Sequence, residues 1–329
     1  ITDEKKVIIE TDGCPRYLGR VIKNVNTKAP TPVWMERALA RSGIRQHSIL
    51  VDITNYVLME LGQPLHAFDG GKVEGAVHVR QATAAEKLTL LNEQEVELSE
   101  KVMVIADDNK ALAIAGIMGG LSSAVSDTTT EIFLESAFFD QLHIAGRARS
   151  FGLHTDASQR YERGVDFELP LIAMHRASQL ISEFAGGEFG PITIAEKTEF
   201  LPKRDAIELN QAQVDQLLGY KVESDFITDA LTRLGCTVTV KAEGEWTVVP
   251  PSHRFDMVIY QDLIEEVARI HGYDNIQISL PVIDVKLAKY QDQFELTQLR
   301  QTVVALGYQE AISFSFADLK LEKQLNPAV

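Results

Sequence analysis

Glycine and proline divide the chain into short helical and strand patterns, and the order of these patterns restricts the fold more than any other feature. Residues 17–25 predict a strand. Thr31 and Pro32 then predict the N-cap and first position of a helix that ends at Gly43. A second helix is predicted over residues 48–61, which is also followed by glycine. The chain therefore opens with a strand and two helices.

The middle of the chain adds further strands and one long helix. Residues 102–106 and 111–115 predict a hairpin around a polar turn, and residues 130–136 predict another strand. Residues 168–185 have the apolar periodicity of an amphipathic helix, and the two glycines that follow are expected to end it. Strands and helices in this irregular order predict an α+β protein.

A change in composition at residues 200–204, Phe-Leu-Pro-Lys-Arg, predicts a domain boundary. After it, Asn210 is expected to cap a helix that runs to residue 218, and Ser224 a second helix that runs to residue 234. A hairpin over residues 236–249 and a helix over residues 260–271 follow. These elements predict a small helical module with a β-hairpin wing, similar to a winged helix.

The last part of the chain predicts the beginning of a further domain. A helix is expected over residues 291–306 and a strand over residues 310–316. The chain starts at Ile1 without a methionine or signal peptide, and its final residues lack a helix cap, so we interpret both ends as cuts through a longer polypeptide. A length of 329 residues predicts two or three domains.

Composition and charge narrow the classes of protein. The net charge of −15 argues against broad, non-specific binding to nucleic acid or anionic membranes, although it leaves room for a site that receives the tethered end of an RNA. No apolar run approaches the roughly 18 residues that a membrane span needs. The only cysteines, Cys14 and Cys236, form no metal or disulfide pattern, which is typical of a reducing cytoplasm.

Residues 154–166 are the strongest indication of a functional site. This segment combines arginines, acids and small hydroxyl residues, and only Tyr161 and Val165 are of the type that fills a core. Hydrophobic burial therefore does not explain it, whereas a polar loop or a lined site does. The small residues between Thr155 and Ser158, next to charged ones, favour the site.

Several segments together resemble the β subunit of bacterial phenylalanyl-tRNA synthetase. They occur in the order of that family and cover nearly the whole chain: residues 52–69, 116–120, 133–137, 154–166, 250–256 and 262–274. The resemblance implies a mixed-sheet editing domain of B3/B4 type over residues 1–199. It also implies a winged-helix-like B5 domain over residues 200–278 and the start of a truncated catalytic-like domain over residues 279–329.

The resemblance also implies a function. Such a chain is part of a ligase in which the α subunit joins phenylalanine to tRNA(Phe) with ATP, in an α2β2 enzyme of the cytoplasm. This part binds tyrosine and hydrolyses misacylated Tyr-tRNA(Phe). Whether it does so alone stays open. The alternative is a non-catalytic module that contacts the α subunit or tRNA and carries a vestigial pocket.

Glu135 is the candidate for reading the tyrosine hydroxyl. An apolar pocket rejects an added hydroxyl only about a hundredfold, so an editing site for tyrosine needs a polar partner for the phenol. Phenylalanine would leave that partner desolvated and unpaired. Glu135 directly follows the apolar residues 132–134, and the resemblance gives it this role. The alternative is a solvent-facing strand residue, as Glu131 is expected to be.

The resemblance places six further residues at the editing pocket: His66, Gly119, Thr155, Ala157, Thr54 and Asn55. His66 is expected in a loop after a helix, near the substrate ester, with a structural histidine as the alternative. Gly119 matches a pocket wall. Thr155 and Ala157 share a face if their segment is extended. Thr54 and Asn55 either face the cavity from a helix or are merely tolerated there.

No covalent nucleophile is assigned. His154 and Ser158 are close in sequence, but the family does not use such a pair, and water attack on an ester needs mainly positioning and a polarised carbonyl.

A second constellation consists of four acids, and the family binds Mg²⁺ at these positions near the α subunit: Asp256, Asp262, Glu265 and Glu266. Three of them share one face of a helix, and carboxylates suit Mg²⁺. The alternative is an acidic first turn that complements the helix dipole. Four clustered acids repel, so neutralising Glu265 and Glu266 is expected to raise the stability of the metal-free chain.

Overall fold

The computed structural model describes residues 1–276, 278, 280 and 295–328. Its strands are β1 Val7–Ile9, β2 Arg16–Lys23, β3 Leu65–Asp69, β4 Val77–Gln81, β5 Glu86–Thr89, β6 Glu95–Leu98, β7 Met103–Ala106, β8 Ala111–Ile114, β9 Met118–Gly119, β10 Glu131–Phe138, β11 Glu188–Glu196, β12 Ile207–Asn210, β13 Thr237–Ala242 and β14 Glu245–Val249. Its helices are α1 Val33–Arg41, α2 Ile49–Leu61, α3 Gln141–Ile144, α4 Arg147–Ser150, α5 Asp156–Tyr161, α6 Leu169–Phe184, α7 Gln211–Leu218, α8 Ser224–Arg233, α9 Tyr260–His271, α10 Leu296–Ala305 and α11 Leu319–Leu325. These elements fall into two compact units, Ile1–Gln277 and Ile278–Val329.

Two sheets build the first part of the larger unit. One has the strand order β1-β4-β7-β8-β9 and is mixed, because β1 and β4 are parallel whereas its other pairs are antiparallel. The other has the order β11-β2-β10-β3 and is antiparallel throughout. The α+β class and the mixed sheet are therefore confirmed.

The strand β10 separates two hydrophobic cores. Its side chains point alternately to the two faces of the sheet. Phe133 and Ala137 pack with side chains of the mixed sheet, whereas Ile132 and Leu134 pack with side chains of α1, α2 and α6. Glu135 belongs by this alternation to the face that meets the mixed sheet. The alternation of side chains along β10 thus places the Glu135 carboxylate between the two sheets.

Two predicted helix caps are wrong. Ser224 does not cap α8, whose N-cap is Glu223 and has no side-chain hydrogen bond, because the Ser224 hydroxyl donates to the side-chain carbonyl of Gln211. Thr31 does not cap α1, whose N-cap is Pro32 and has no side-chain hydrogen bond. The Thr31 hydroxyl instead donates to Oδ2 of the buried Asp52 over 2.6 Å, because that carboxylate needs hydrogen-bond donors in the core. The predicted C-terminal ends of α1 and α2 are confirmed, since Gly43 and Gly62 have φ angles of 78° and 83°.

The second part of the larger unit has its own core. Strands β12, β14 and β13 form an antiparallel sheet, in that order, and α7, α8 and α9 complete the predicted helical module with its hairpin wing. Trp246 is buried among apolar side chains from all of these elements. The sequence did not predict β12, because four residues that alternate apolar and polar are too short a pattern to stand out.

The smaller unit is described by α10 and α11. The helix predicted over residues 291–306 begins at Leu296, and residues 291–294 lie outside the described part. The strand predicted over residues 310–316 is wrong, because this segment is irregular. An alternating pattern becomes a strand only beside a partner strand. Across the residues that the structure describes, no helix has both the length and the apolar character of a membrane span.

Candidate functional site

A cavity of about 190 Å³ lies on the face of β10 that carries Glu135. An apolar cavity of roughly 150 Å³ is enough to bind benzene, so this one has room for an aromatic ring. The polar side chains at its wall come from distant parts of the chain and include three of the predicted residues. The lining consists of Pro64, Leu65, His66, Leu91, Ile105, residues 113–119, Glu135, Thr155, Ala157 and Tyr161.

Glu135 is the buried acid of this cavity, with 7% of its surface exposed. The solvent-facing alternative is therefore wrong for this residue. In the antiparallel sheet it lies opposite Gly19 on β2 and opposite His66 on β3. Its Oε2 accepts a 2.7 Å hydrogen bond from the hydroxyl of Tyr17, and Oε1 accepts no hydrogen bond from the described residues.

Burial controls the charge of Glu135. Loss of water raises the pKa of its carboxyl group to about 7, against the opposing effect of the Tyr17 hydrogen bond. The carboxylate in turn keeps Tyr17 protonated, since burial and the nearby negative charge raise the pKa of the phenol well above its usual value. Glu135 is thus a hydrogen-bond acceptor whose charge changes near neutral pH.

His66 faces Glu135 from the neighbouring strand, not from the loop that the sequence predicts. Its ring packs edge-on against Phe68, with 4.5 Å between the ring centres. The Nε2 atom is buried without a hydrogen-bond partner within the described residues. Burial lowers the pKa of this imidazole to about 4, so the ring is neutral at physiological pH. An unpartnered buried nitrogen at a cavity wall indicates that a ligand or water completes it.

Gly119 forms the wall beside His66. A Cβ atom at this position would lie 2.7 Å from Cε1 and Nε2 of the His66 ring. Any side chain here would therefore displace the imidazole or fill the cavity. The structure thus brings the predicted pocket-wall glycine and pocket histidine together.

Thr155 and Ala157 both line the cavity, but not from an extended segment. Thr155 is the N-cap of α5, and Ala157 lies in the first turn of that helix. The Thr155 hydroxyl accepts from the backbone N–H of Ser158 and donates to the carbonyl of Ile117. One hydroxyl lone pair remains for a ligand donor. Threonine is a preferred N-cap, and Thr155 precedes a run of helix-forming residues. This signal predicts a helix, although the segment was expected to be extended.

Thr54 and Asn55 are not among the residues that line the cavity. Both lie in α2, which packs on the opposite side of the sheet. Thr54 is buried, and its hydroxyl donates to the carbonyl of Val51 within the helix. A hydroxyl that bonds to the preceding turn is a common way to bury threonine in a helix.

Ser158 is unsuited to act as a nucleophile. Its hydroxyl donates to the carbonyl of Thr155 and accepts from the backbone N–H of the same residue. Because these bonds hold it in the helix cap, it is not free to attack an ester.

The four acids predicted to bind Mg²⁺ do not converge. Within the described residues, no three His, Cys, Asp or Glu side chains are arranged to hold a metal ion. Asp262 accepts the backbone N–H groups of Val258 and Ile259 at the start of α9, and Glu265 is exposed. Asp262 therefore behaves as the alternative predicts, as an acid in the first turn of the helix, whereas Glu265 lies beyond that turn.

Arginine side chains contact Asp256 and Glu266, which the sequence predicted as ligands of Mg²⁺. Arg254 donates two hydrogen bonds to Asp256 and two to the buried Glu266, and Arg269 donates another to Glu266 over 2.6 Å. These arginines lower the pKa of Glu266 to about 2. The residues present do not fit Mg²⁺, since a metal would have to displace two guanidinium groups. Arg254 lies in residues 250–256, one of the segments that carry the family resemblance, but the sequence did not indicate that its charge pairs with the acids.

The sequence analysis also missed Tyr17. It is completely buried, and a buried tyrosine hydroxyl requires a hydrogen-bond partner. A tyrosine at an inward position of a strand was the available signal. A lone acid or a lone tyrosine predicts little, but the pairing of β2 with β10 brings Tyr17 and Glu135 together.

Comparisons with known proteins match the two parts of the larger unit separately. The family model of the B3/4 domain matches residues 13–186, which is more than half of the chain. The family model described as the tRNA synthetase B5 domain matches residues 207–273. The boundaries predicted at residues 199 and 278 stay predictions.

Curated relatives resemble the chain over its whole length. It is 77% identical over 329 residues to the phenylalanine–tRNA ligase beta subunit of Acinetobacter baylyi, of which it covers 42%. It is 50% identical to the corresponding subunit of Pseudoalteromonas translucida, with 99% of this chain and 41% of that protein covered. The chain thus spans less than half the length of these relatives.

A solved structure is also similar in part. It is an N-terminal fragment of the phenylalanyl-tRNA synthetase beta subunit from Pyrococcus horikoshii, with 14% sequence identity and a TM-score of 0.38. The match covers 81% of this chain and 76% of that one. A likeness at this score carries no argument about the site.

Proposed function

Since this chain belongs to the B3/4 domain family and resembles phenylalanine–tRNA ligase beta subunits over its whole length, we propose that it contributes an editing site to such a ligase. The site binds tyrosine and hydrolyses the ester of misacylated Tyr-tRNA(Phe). The observation that carries this proposal is Glu135, a buried carboxylate at the wall of a cavity with room for an aromatic ring.

The chemistry of discrimination follows from the cost of an unpaired polar group. The phenol of tyrosine donates to Oε1 of Glu135, whereas phenylalanine leaves that oxygen desolvated without a donor. Such a loss costs about 1–3 kcal/mol, or roughly five- to 150-fold in affinity. The apolar side chains at the wall accommodate the ring of either amino acid, so the carboxylate decides between them.

The remaining residues position the ester. His66 is neutral, and its Nε2 has no protein partner in the described part of the chain, so it holds a water or the ligand by a hydrogen bond. Thr155 offers one lone pair to a donor such as the ligand's ammonium group. Hydrolysis then proceeds by attack of a positioned water, without a covalent intermediate.

In the complete enzyme, this site is separate from aminoacylation. We propose that the α subunit joins phenylalanine to tRNA(Phe) with ATP and Mg²⁺, and that the B5 part contacts protein or tRNA partners. No step of the editing reaction requires Mg²⁺ at Asp256, Asp262, Glu265 or Glu266. The vestigial-pocket alternative predicts no preference between tyrosine and phenylalanine.

Replacement of Glu135 by alanine tests the discrimination. We expect Glu135→Ala to abolish the preference for tyrosine over phenylalanine, because it removes the acceptor for the phenol. Calorimetric titration of both amino acids into wild type and variant measures this. Glu131→Ala, which changes an acid at the start of the same strand, should keep the preference. Unchanged tyrosine binding by Glu135→Ala would contradict the assignment.

Replacement of Ala157 by tryptophan tests whether this cavity is the editing site. The large ring fills the space that the small side chain leaves, and a packed wall accommodates it poorly. In the complete α2β2 enzyme, we expect Ala157→Trp to charge phenylalanine normally and to hydrolyse Tyr-tRNA(Phe) at least tenfold more slowly. Asp156→Trp, at the exposed neighbouring position, is the control for a bulky residue in the same turn. Normal deacylation by Ala157→Trp would place the reaction elsewhere.

A further inference from the structure

Tyr17 lies behind the carboxylate that faces the cavity. The tyrosine is completely buried, and its hydroxyl donates the 2.7 Å hydrogen bond to Oε2 of Glu135. Tyr161 and Glu135 line the cavity, but Tyr17 is not among the described residues that do so. Tyr17 therefore acts on a ligand only through Glu135.

The strand pairing explains how Tyr17 reaches the carboxylate. Glu135 is opposite Gly19, and Ala137 is opposite Tyr17, so Tyr17 is a diagonal neighbour of Glu135 on the same sheet face. The ring of Phe133 lies over Gly19, where a Cβ atom would clash with it. Phe133 and Tyr17 thus occupy the sheet surface around the acid, which leaves its carboxylate directed towards the cavity.

The two oxygens of Glu135 consequently have different partners. Oε2 accepts the hydrogen bond from the Tyr17 phenol, whereas Oε1 accepts none from the described part of the chain. A hydrogen bond from a hydroxyl to a carboxylate is charge-assisted and fixes the plane of the acceptor. The ligand would bring the same chemical group to the other oxygen.

We propose that Tyr17 is the positioning residue for discrimination, and that its hydroxyl orients Glu135 so that Oε1 accepts the phenol of the ligand. This inference rests on the proposed function of Glu135. The hydrogen bond also opposes the effect of burial on the pKa of Glu135, which lies at about 7. Tyr17 therefore extends the pH range in which the acid is an ionised acceptor.

Tyr17→Phe tests the proposal through a pH profile. In wild type, tyrosine affinity should rise with pH through the pKa of Glu135, because the ionised acid is the stronger acceptor. In Tyr17→Phe we expect the midpoint of this rise to move up by about one pH unit and the preference for tyrosine at pH 7 to fall by about fivefold, since the ionised fraction of the acid falls by that factor. Phenylalanine affinity should stay within about twofold, since phenylalanine makes no bond to the acid.

Two further variants separate positioning from packing. Tyr56→Phe removes a hydroxyl that donates to the carboxylate of Glu60, and neither residue lines the cavity, so this variant should leave the pH midpoint unchanged. Replacement of Tyr17 by 3-fluorotyrosine keeps the ring and makes the hydroxyl a stronger donor, so it should move the midpoint down. This variant tests the bond even if Tyr17→Phe does not fold.

The results distinguish the two proposals. A wild type that binds tyrosine and phenylalanine equally at every pH would reject the proposed function itself. A wild type that prefers tyrosine, together with a pH midpoint that neither Tyr17 variant moves, would reject only the positioning role. Equal losses of both amino acids in Tyr17→Phe would likewise assign Tyr17 to packing. Opposite shifts of the midpoint in Tyr17→Phe and the fluorotyrosine variant would support the proposal.

Discussion

At pH 8, Glu135→Gln is expected to raise the free energy of unfolding by up to about 3 kcal/mol. The reason is that burial raises the pKa of the Glu135 carboxyl group from 4.5 to about 7. Each pKa unit corresponds to about 1.4 kcal/mol, so the ionised acid costs about 3 kcal/mol of stability. Glutamine keeps an oxygen for the Tyr17 hydroxyl but carries no charge.

The sign of this effect depends on pH. Between pH 4.5 and about 7, the folded state holds a proton on Glu135 that the unfolded state has lost. Stability from this residue is therefore complete below pH 4.5 and is lost as pH rises through 7. Denaturant unfolding at pH 8 should separate the variant from wild type, and unfolding at pH 4 should not. A variant that is less stable than wild type at pH 8 would contradict a buried charge.

Glu266→Gln is expected to have the opposite effect, a loss of about 2–3 kcal/mol at pH 7. The acid is buried between Arg254 and Arg269, which lower its pKa from 4.5 to about 2. Removal of its charge leaves two guanidinium groups with a weaker acceptor. Glu265→Gln is the matched control, since the neighbouring acid is exposed and should change stability by less than about 0.5 kcal/mol.

The pH dependence of this second effect also differs. Because the pKa of Glu266 is lowered on folding, its stabilisation is present above pH 4.5 and is lost as pH falls towards 2. Thermal melts of Glu266→Gln and wild type should therefore converge in acid. The sequence alone predicted that neutralising Glu265 and Glu266 would relieve repulsion. A higher melting temperature for Glu266→Gln would support that earlier view and reject the arginine pairing.

Local patterns predicted much of the fold because their causes are local. The hairpin of β7 and β8 and the helices α2, α6 and α9 follow from alternation, amphipathic periodicity and terminal glycines within one segment. Thr31 was misassigned because its partner, Asp52, lies 21 residues away. Threonine is a good cap in general, but a buried carboxylate that needs a donor is a stronger demand.

The residues that line the site could be predicted, but the side chains that pair with its acids could not. Glu135, His66, Gly119, Thr155 and Ala157 could be named from a family resemblance, and these five meet at one cavity. Their roles in recognition stay predictions. Tyr17 and Arg254 could not be placed, since strand pairing and loop packing decide which acid each one meets.

The cap of α5 also determines which positions of the pocket can be altered independently. Thr155 joins two chain segments that are 38 residues apart, since its hydroxyl bonds to Ile117 while it starts the helix. Serine is the one natural replacement with a hydroxyl of the same reach, so position 155 offers little freedom for a ligand of another shape. The Ala157 side chain has no polar group and only limits the volume of the cavity. A redesign of this cavity for a bulkier or smaller ligand would therefore begin at Ala157, with the helix cap left intact.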